Sequence, residues 1–185
     1  SFHYYVSNDF YRLWLDEQMV YSCGLFTAPD QPLGKSQTAK LDYLCRKLRL
    51  HPGQRLLDIG CGWGGLAMFA AKFYGVQVTG VTLSAAQAEL ARARVREAGL
   101  ERDVAIELQD YRQVDRPAGF DAVVSVGMAE HVGRENLPGY FKTVWNLLRP
   151  GGVFLNHAIG EGRRADRFRG PSFVDAYVFP DSDIP

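Results

Sequence analysis

Short apolar runs alternate with longer stretches of helical spacing through most of the chain. Arg55-Leu56-Leu57-Asp58-Ile59 is apolar and runs into a glycine cluster, the pattern of a buried strand. Residues 66–74 read as a helix ended by Gly75, and residues 76–81 are β-branched and read as a second strand. Ser84 is placed to cap a long helix over 85–98, which Gly99 closes. Residues 104–108 and 120–126 predict a third and a fourth strand. A helix over 137–148 is stopped by Pro150-Gly151-Gly152, and residues 153–157 form a fifth strand. Strands alternating with helices predict an α/β fold with a mostly parallel sheet covered on both faces.

The first part of the chain is different. Phe2, His3, Tyr4, Tyr5, Phe10, Tyr11, Trp14, Tyr21 and Phe26 crowd residues 1–35. Asn8 or Asp9 is the expected cap of a short helix through Trp14, and Pro29, Pro32 and Gly34 mark a loop. Leu41, Leu44, Cys45 and Leu48 predict a helix over 35–49, ending before Pro52-Gly53. The expected organisation is an aromatic-rich helical segment over 1–50 capping a site, and an α/β core over 51–185 that is incomplete at its C-terminus.

Composition narrows the function. The chain has 185 residues, 46% of them hydrophobic and 23% charged, which excludes a disordered protein. Lys and Arg number 21, as do Asp and Glu, so there is no basic excess to mark a nucleic-acid binder. No apolar run approaches the ~18 residues of a membrane span. The polar-aromatic start does not read as a signal peptide. Cys23, Cys45 and Cys61 show no CxxC spacing, so neither a disulfide framework nor a zinc or other metal site is expected, and a reducing compartment fits. The chain lacks a starting Met and is read as part of a longer protein.

The strongest local signal is Leu57-Asp58-Ile59-Gly60-Cys61-Gly62-Trp63-Gly64-Gly65. Glycines let a strand turn sharply into a helix and let a ligand approach the backbone. Gly60, Gly62 and Gly65 have the G-x-G-x-x-G spacing of dinucleotide folds. Two details favour another ligand. Asp58 would repel a pyrophosphate at the helix N-terminus but attract the ammonium and sulfonium of S-adenosylmethionine (SAM). The second strand runs into Gly80-Val81-Thr82-Leu83-Ser84, where Thr82 stands instead of the ribose-gripping acid expected about 20 residues on in a dinucleotide fold.

The chain resembles the cyclopropane-fatty-acyl-phospholipid synthases and the related mycolic-acid cyclopropane synthases. The matching blocks are the run from Asn8 to Asp16, Tyr21-Ser22-Cys23, Gln37-Thr38-Ala39-Lys40-Leu41-Asp42, the glycine loop, Gly80-Val81-Thr82-Leu83-Ser84, Gln109-Asp110-Tyr111-Arg112, Ser125-Val126-Gly127-Met128-Ala129-Glu130-His131-Val132-Gly133 and Tyr177-Val178-Phe179-Pro180. The glycine loop is shared with many methyltransferases, whereas the Tyr-Ser-Cys and Glu-His-Val-Gly blocks are more specific.

The resemblance implies a Rossmann-like class I SAM-dependent methyltransferase acting on the cis double bond of phospholipid acyl chains. The alkene attacks the methyl carbon, a carbocation results, and loss of a proton from the added methyl closes a cyclopropane ring. It further implies bicarbonate as the base, held by Cys23, Glu130, His157 and the backbone at Ile159, with one further Tyr ligand beyond Pro185. The implied SAM contacts are Tyr21, Ser22, Asp58, Gly60, Cys61, Gly62, Gly64, Thr82, Leu83, Gln87, Asp110 and Tyr111. A cytoplasmic enzyme working transiently at the inner membrane face, and a homodimer of the full-length protein, complete the expectation.

Elementary chemistry agrees with several of these roles. An alkene is a poor nucleophile, so rate must come from positioning and from stabilising positive charge. Aromatic faces do the latter, and residues 1–35 are rich in them. Glu130 follows the fourth predicted strand and His157 ends the fifth, the carboxyl ends where open α/β sheets bind ligands.

Blander roles stand beside these. Cys61 packs inside the loop, Cys23 is a small hydrophobe, Glu130 is a solvated acid, His131 donates a structural hydrogen bond, and His157 is a satisfied core histidine. His3 and His51 carry no signal. Arg163, Arg164, Arg167 and Arg169 suit either lipid headgroups or a solvated loop.

Two positions depart from the family. Tyr5 replaces an Asp, and Ala129 replaces an aromatic, which bears on the acyl pocket and favours methyl transfer without ring closure. Methyl transfer to another lipid or small acceptor, and a non-catalytic SAM- or lipid-binding module, are the competing functions.

Overall fold

The structure is a computed structural model that describes residues 8–159. Tyr5, the arginine cluster at 163–169 and the Tyr177-Val178-Phe179-Pro180 block lie outside the described residues. Five parallel strands form one sheet: β1 (Arg55–Ile59), β2 (Gln77–Thr82), β3 (Val104–Leu108), β4 (Phe120–Val126) and β5 (Leu148–His157). Their spatial order is β3-β2-β1-β4-β5. β1 is central, with Asp58 opposite Gly80 of β2 on one side and Val124 of β4 on the other. The order reverses at β1, so its carboxyl end opens onto the crevice where such sheets bind ligands.

Alternation of side chains assigns each strand two apolar faces. Leu56, Val78, Val104, Ile106, Ala122 and Val124 point to one core, with α2 (Leu33–Lys47), α3 (Gly65–Tyr74) and α4 (Ala85–Glu97) supplying Leu41, Leu44, Cys45, Leu66, Phe69 and Ala91, and Leu48 joining them just past α2. Leu57, Ile59, Val81 and Val123 point to the other, closed by Tyr140, Val144 and Leu147 of α6 (Leu137–Leu147). Helices therefore cover both faces, as the alternating pattern predicts. The four apolar positions expected to line the helix over 35–49 are all buried, in the core shared with β1.

Local chemistry sets the boundaries. Gly75 ends α3 in a left-handed conformation. The Ser84 hydroxyl accepts a hydrogen bond from the Gln87 N–H at 3.3 Å and starts α4 as expected. Three elements differ from the sequence reading. α1 (Asn8–Arg12) stops before Trp14, and neither Asn8 nor Asp9 caps it: the Asn8 amide is engaged by Trp63 and Ala86, and Asp9 pairs with Arg12. A short helix, α5 (Ala129–Val132), follows β4 where none was predicted. β5 begins at Leu148, before Pro150-Gly151-Gly152, because Leu148 pairs with Phe120 across an irregular register. Among the described residues β5 pairs only with β4, so it lies at a sheet edge.

Candidate active site

β1 delivers Asp58 and then the glycine turn. Gly60, Gly62 and Gly64 all have positive φ, which lets the chain reverse from β1 into α3. The Gly60 and Cys61 N–H groups both donate to the Val81 carbonyl at 3.0 Å, which fastens the turn to β2. A Cβ on Gly60 would lie 2.6 Å from Met128 Cγ. The loop after β4 is thus seated directly on the glycine turn. Gly65 is as tight, since a Cβ there would meet the Gln18 carbonyl at 2.7 Å. The segment leading to Tyr21 crosses the start of α3 at that point.

Asp58 is buried, and its Oδ2 has no hydrogen-bond partner among the described residues. Burial raises its carboxyl to about 7. Residue type alone makes this group a standing negative charge. In its dry setting the charge is instead poised, and a cation placed beside it would complete the ionisation.

Of the other residues expected to contact the cofactor, Thr82, Leu83 and Gln87 lie between the end of β2 and the first turn of α4, and Asp110 and Tyr111 follow β3. The Thr82 hydroxyl donates to Gln87 Oε1 at 2.9 Å, joining the end of β2 to α4. Leu83 is 71% exposed and offers an apolar face beside them. Asp110 holds Arg112, whose Nε lies 3.0 Å from both carboxylate oxygens, and this keeps its carboxyl below the ordinary range. The Tyr111 ring meets Tyr140 edge-on. Cys61 packs in the core, as its bland reading has it, and burial raises its thiol.

The loop after β4 and the end of β5 form a second cluster. The Gly127 N–H donates to the His157 carbonyl at 2.9 Å. The Ile159 N–H donates to Glu130 Oε1 at 2.7 Å. Glu130 is 1% exposed, and its Oε2, like Nδ1 of His157, is buried with no partner among the described residues. An acid this deep with one oxygen unsatisfied is not a solvated loop residue. Glu130 and Ile159 are therefore brought together, with His157 two residues before Ile159 and its carbonyl on Gly127 of the same loop. Cys23 is exposed, and no hydrogen bond joins it to them. No group of His, Cys, Asp and Glu suited to a metal ion occurs among the described residues.

The family model for mycolic acid cyclopropane synthetase matches residues 1–185. The chain belongs to that family. It is 50% identical over 189 residues to a probable fatty acid methyltransferase of Pseudomonas putida, covering 100% of this chain and 48% of the relative. It is 46% identical over 183 residues to the cyclopropane-fatty-acyl-phospholipid synthase of Escherichia coli K12, covering 99% and 46%. Among solved structures, mycolic acid cyclopropane synthase CmaA1 complexed with SAH and CTAB superposes with a TM-score of 0.85 at 36% identity, covering 97% of this chain and 66% of that one. The chain spans about half the length of the curated relatives it matches. The architecture is the Rossmann-like class I methyltransferase fold that the resemblance predicts.

For a cyclopropane synthetase family member, the geometry adds residues that the sequence reading did not assign. Trp63 donates from Nε1 to Asn8 Oδ1 at 2.7 Å, and its ring packs 4.8 Å from that of Tyr11. Arg94 donates to the carbonyls of Trp63 and Glu17. Gln37 and Lys40 donate to the backbone around Ser22. Trp63 and Arg94 tie the aromatic segment to the glycine turn, and Gln37 and Lys40 tie it to α2. For Trp63, Gln37 and Lys40 the one available signal was their presence inside the matched blocks; Arg94 lies outside them, and spacing alone does not foretell partners so distant in the chain.

Proposed function

We propose that the protein is a SAM-dependent methyltransferase that adds a one-carbon unit to the cis double bond of an unsaturated phospholipid acyl chain and closes a cyclopropane ring. The single observation that carries this is the buried Glu130, tied to Ile159 and left with one free oxygen, on a loop that rests against the glycine turn through Met128. A methyl donor in the turn and a proton acceptor beside Glu130 are then neighbours by construction.

Asp58 takes the cationic end of the donor, and Thr82, Leu83 and Gln87 take its ribose and adenine side. Tyr21 and Trp14, with rings 5.8 Å apart, contribute aromatic faces that stabilise positive charge on the acyl chain. The apolar surroundings keep water from that charge.

The buried orphan atoms of Glu130 and His157 fit a bicarbonate: Glu130 Oε2 would accept its hydroxyl hydrogen, His157 would offer its free Nδ1, and Glu130 would hold the Ile159 backbone in place, while Cys23 is an implied ligand that no hydrogen bond joins to this group. When bound there, bicarbonate supplies the base for the proton lost from the added methyl. No helix among the described residues is long and apolar enough to cross a membrane. The proposed access to lipid is from the cytoplasmic surface of the bilayer.

The test uses the full-length protein, labelled SAM and vesicles of cis-unsaturated phospholipid. Mass spectrometry should show addition of CH2 with loss of the double bond, and Glu130→Gln should abolish product while leaving SAM binding intact. Absence of any lipid product sinks the reading. A methyl-branched or methylenated product would instead favour the second reading, transfer without ring closure, which the buried Ala129 beside Glu130 supports.

A further inference from the structure

The stretch bearing Tyr21, Ser22 and Cys23 has no helix or strand of its own, and side chains hold its backbone. Asp16 accepts from the Gln18 and Val20 N–H groups at 3.2 and 2.9 Å. Gln37 Nε2 donates to the carbonyls of Val20 and Ser22 at 3.1 and 2.8 Å. Lys40 Nζ donates to the Ser22 carbonyl at 3.0 Å and to the Ser22 hydroxyl at 2.7 Å.

Lys40 is 4% exposed and makes no ion pair among the described residues. A lysine that deep with no direct ion pair, and only the field of the buried Asp16 carboxylate to offset its burial, is costly to hold in place. Burial pulls its ammonium down to about 8, against the opposing pull of Cys23 and Asp16, so the group is still mainly charged at neutral pH.

An ammonium has hydrogens to give and no lone pair to receive with, whereas a hydroxyl has one hydrogen and two lone pairs. Ser22 Oγ therefore accepts from Lys40, and its own hydrogen is left to donate elsewhere. With the positive charge behind it, the half-buried hydroxyl is set up for an anionic oxygen. Ser22 belongs to the segment that crosses Gly65 at the mouth of the glycine turn.

Asp58 and Lys40 are thus a buried acid and a buried ammonium, neither with an ion-pair partner among the described residues. An amino-acid group, with its ammonium and its carboxylate, complements both.

We propose that Lys40 is a positioning residue which, acting through Ser22, makes this stretch the recognition point for the carboxylate of the methyl donor's amino-acid end. The inference rests on the SAM reading above and deepens it.

The experiment measures binding to the full-length protein of two probes: S-adenosylhomocysteine, which has the amino-acid end, and methylthioadenosine, which lacks it. Lys40→Met should weaken S-adenosylhomocysteine about tenfold, the loss of one hydrogen bond to a charged group, and leave methylthioadenosine unchanged. Ser22→Ala should do the same, and the double variant should be no weaker than the weaker single one. Ser22→Ala keeps the carbonyl contact to Lys40, so it reads the proposal even where Lys40→Met does not fold. Equal weakening of both probes, or additive effects, would reduce Lys40 to a structural role and overturn the proposal. Unchanged S-adenosylhomocysteine binding in both variants overturns it as well. Failure of the unaltered protein to bind either probe overturns the SAM reading and this inference with it.

Discussion

Asp58→Asn separates what the candidate site needs from what the fold needs. Asp58 is buried and its carboxyl sits at about 7 instead of the ordinary 3.8. Between those two values the folded chain keeps a proton that the unfolded chain has lost. Stability therefore falls as pH rises through that window and levels off above about 7. A carboxyl displaced this far costs about 4 kcal/mol once ionised, at about 1.4 kcal/mol per pKa unit. Asparagine removes the ionisation but leaves a buried amide with unmet hydrogen bonds, a penalty of about 1–3 kcal/mol. The net expectation is a variant about 1–3 kcal/mol more stable than the parent near pH 8, and no more stable near pH 4. Urea denaturation at the two pH values reads this directly, and calorimetry with S-adenosylhomocysteine reads the loss of the proposed ammonium partner. A stability difference that is independent of pH, or a variant less stable near pH 8, would show that Asp58 is not an uncompensated buried acid. The electrostatic account of the turn would then be wrong.

Three other substitutions probe the frame around the site. Gly60→Ala forces a Cβ onto a positive-φ backbone and against Met128, and should cost about 1–3 kcal/mol in urea denaturation, less if the flexible methionine withdraws. Ser84→Ala removes the hydroxyl that caps α4 and should cost about 1 kcal/mol by the same measurement. Trp63→Phe keeps a ring against Tyr11 but loses the bond to Asn8; amide exchange in α1 should speed up about five- to tenfold, equivalent to about 1 kcal/mol, with β1 unaffected.

The parts of this fold that could be read from sequence are those in which the cause is local. β1, β3 and β4 have the predicted limits because each is a short apolar run closed by glycine or polar residues. Ser84 starts α4 and Gly75 ends α3 by capping chemistry that involves only near neighbours. The misread parts have causes distant in the chain. Asn8 looks like a helix cap until Trp63 and Ala86 claim its amide. Pro150-Gly151-Gly152 looks like a break, yet pairing of Leu148 with Phe120 starts β5 ahead of it.

The same division runs through the candidate site. Glycine spacing and an adjacent acid mark the turn after β1, because a sharp reversal and a ligand approaching the backbone impose residue types directly. The state of that acid is not a property of residue type. Packing on both faces of β1 dries Asp58 and moves its carboxyl toward neutrality. Lys40 is the converse case: on α2 it reads as an ordinary polar position between Gln37 and Leu41, and only folding turns it inward to Ser22. Glu130 was legible by its place after a strand, but its single free oxygen became apparent only once β5 brought the Ile159 N–H to the other. In each case the sequence supplies the chemical group, while a neighbour far along the chain supplies its charge state or its direction. The carboxyl ends of β1, β4 and β5 are where those distant neighbours converge, and a variant that shifts one strand end should therefore disturb the other groups of the candidate site as well.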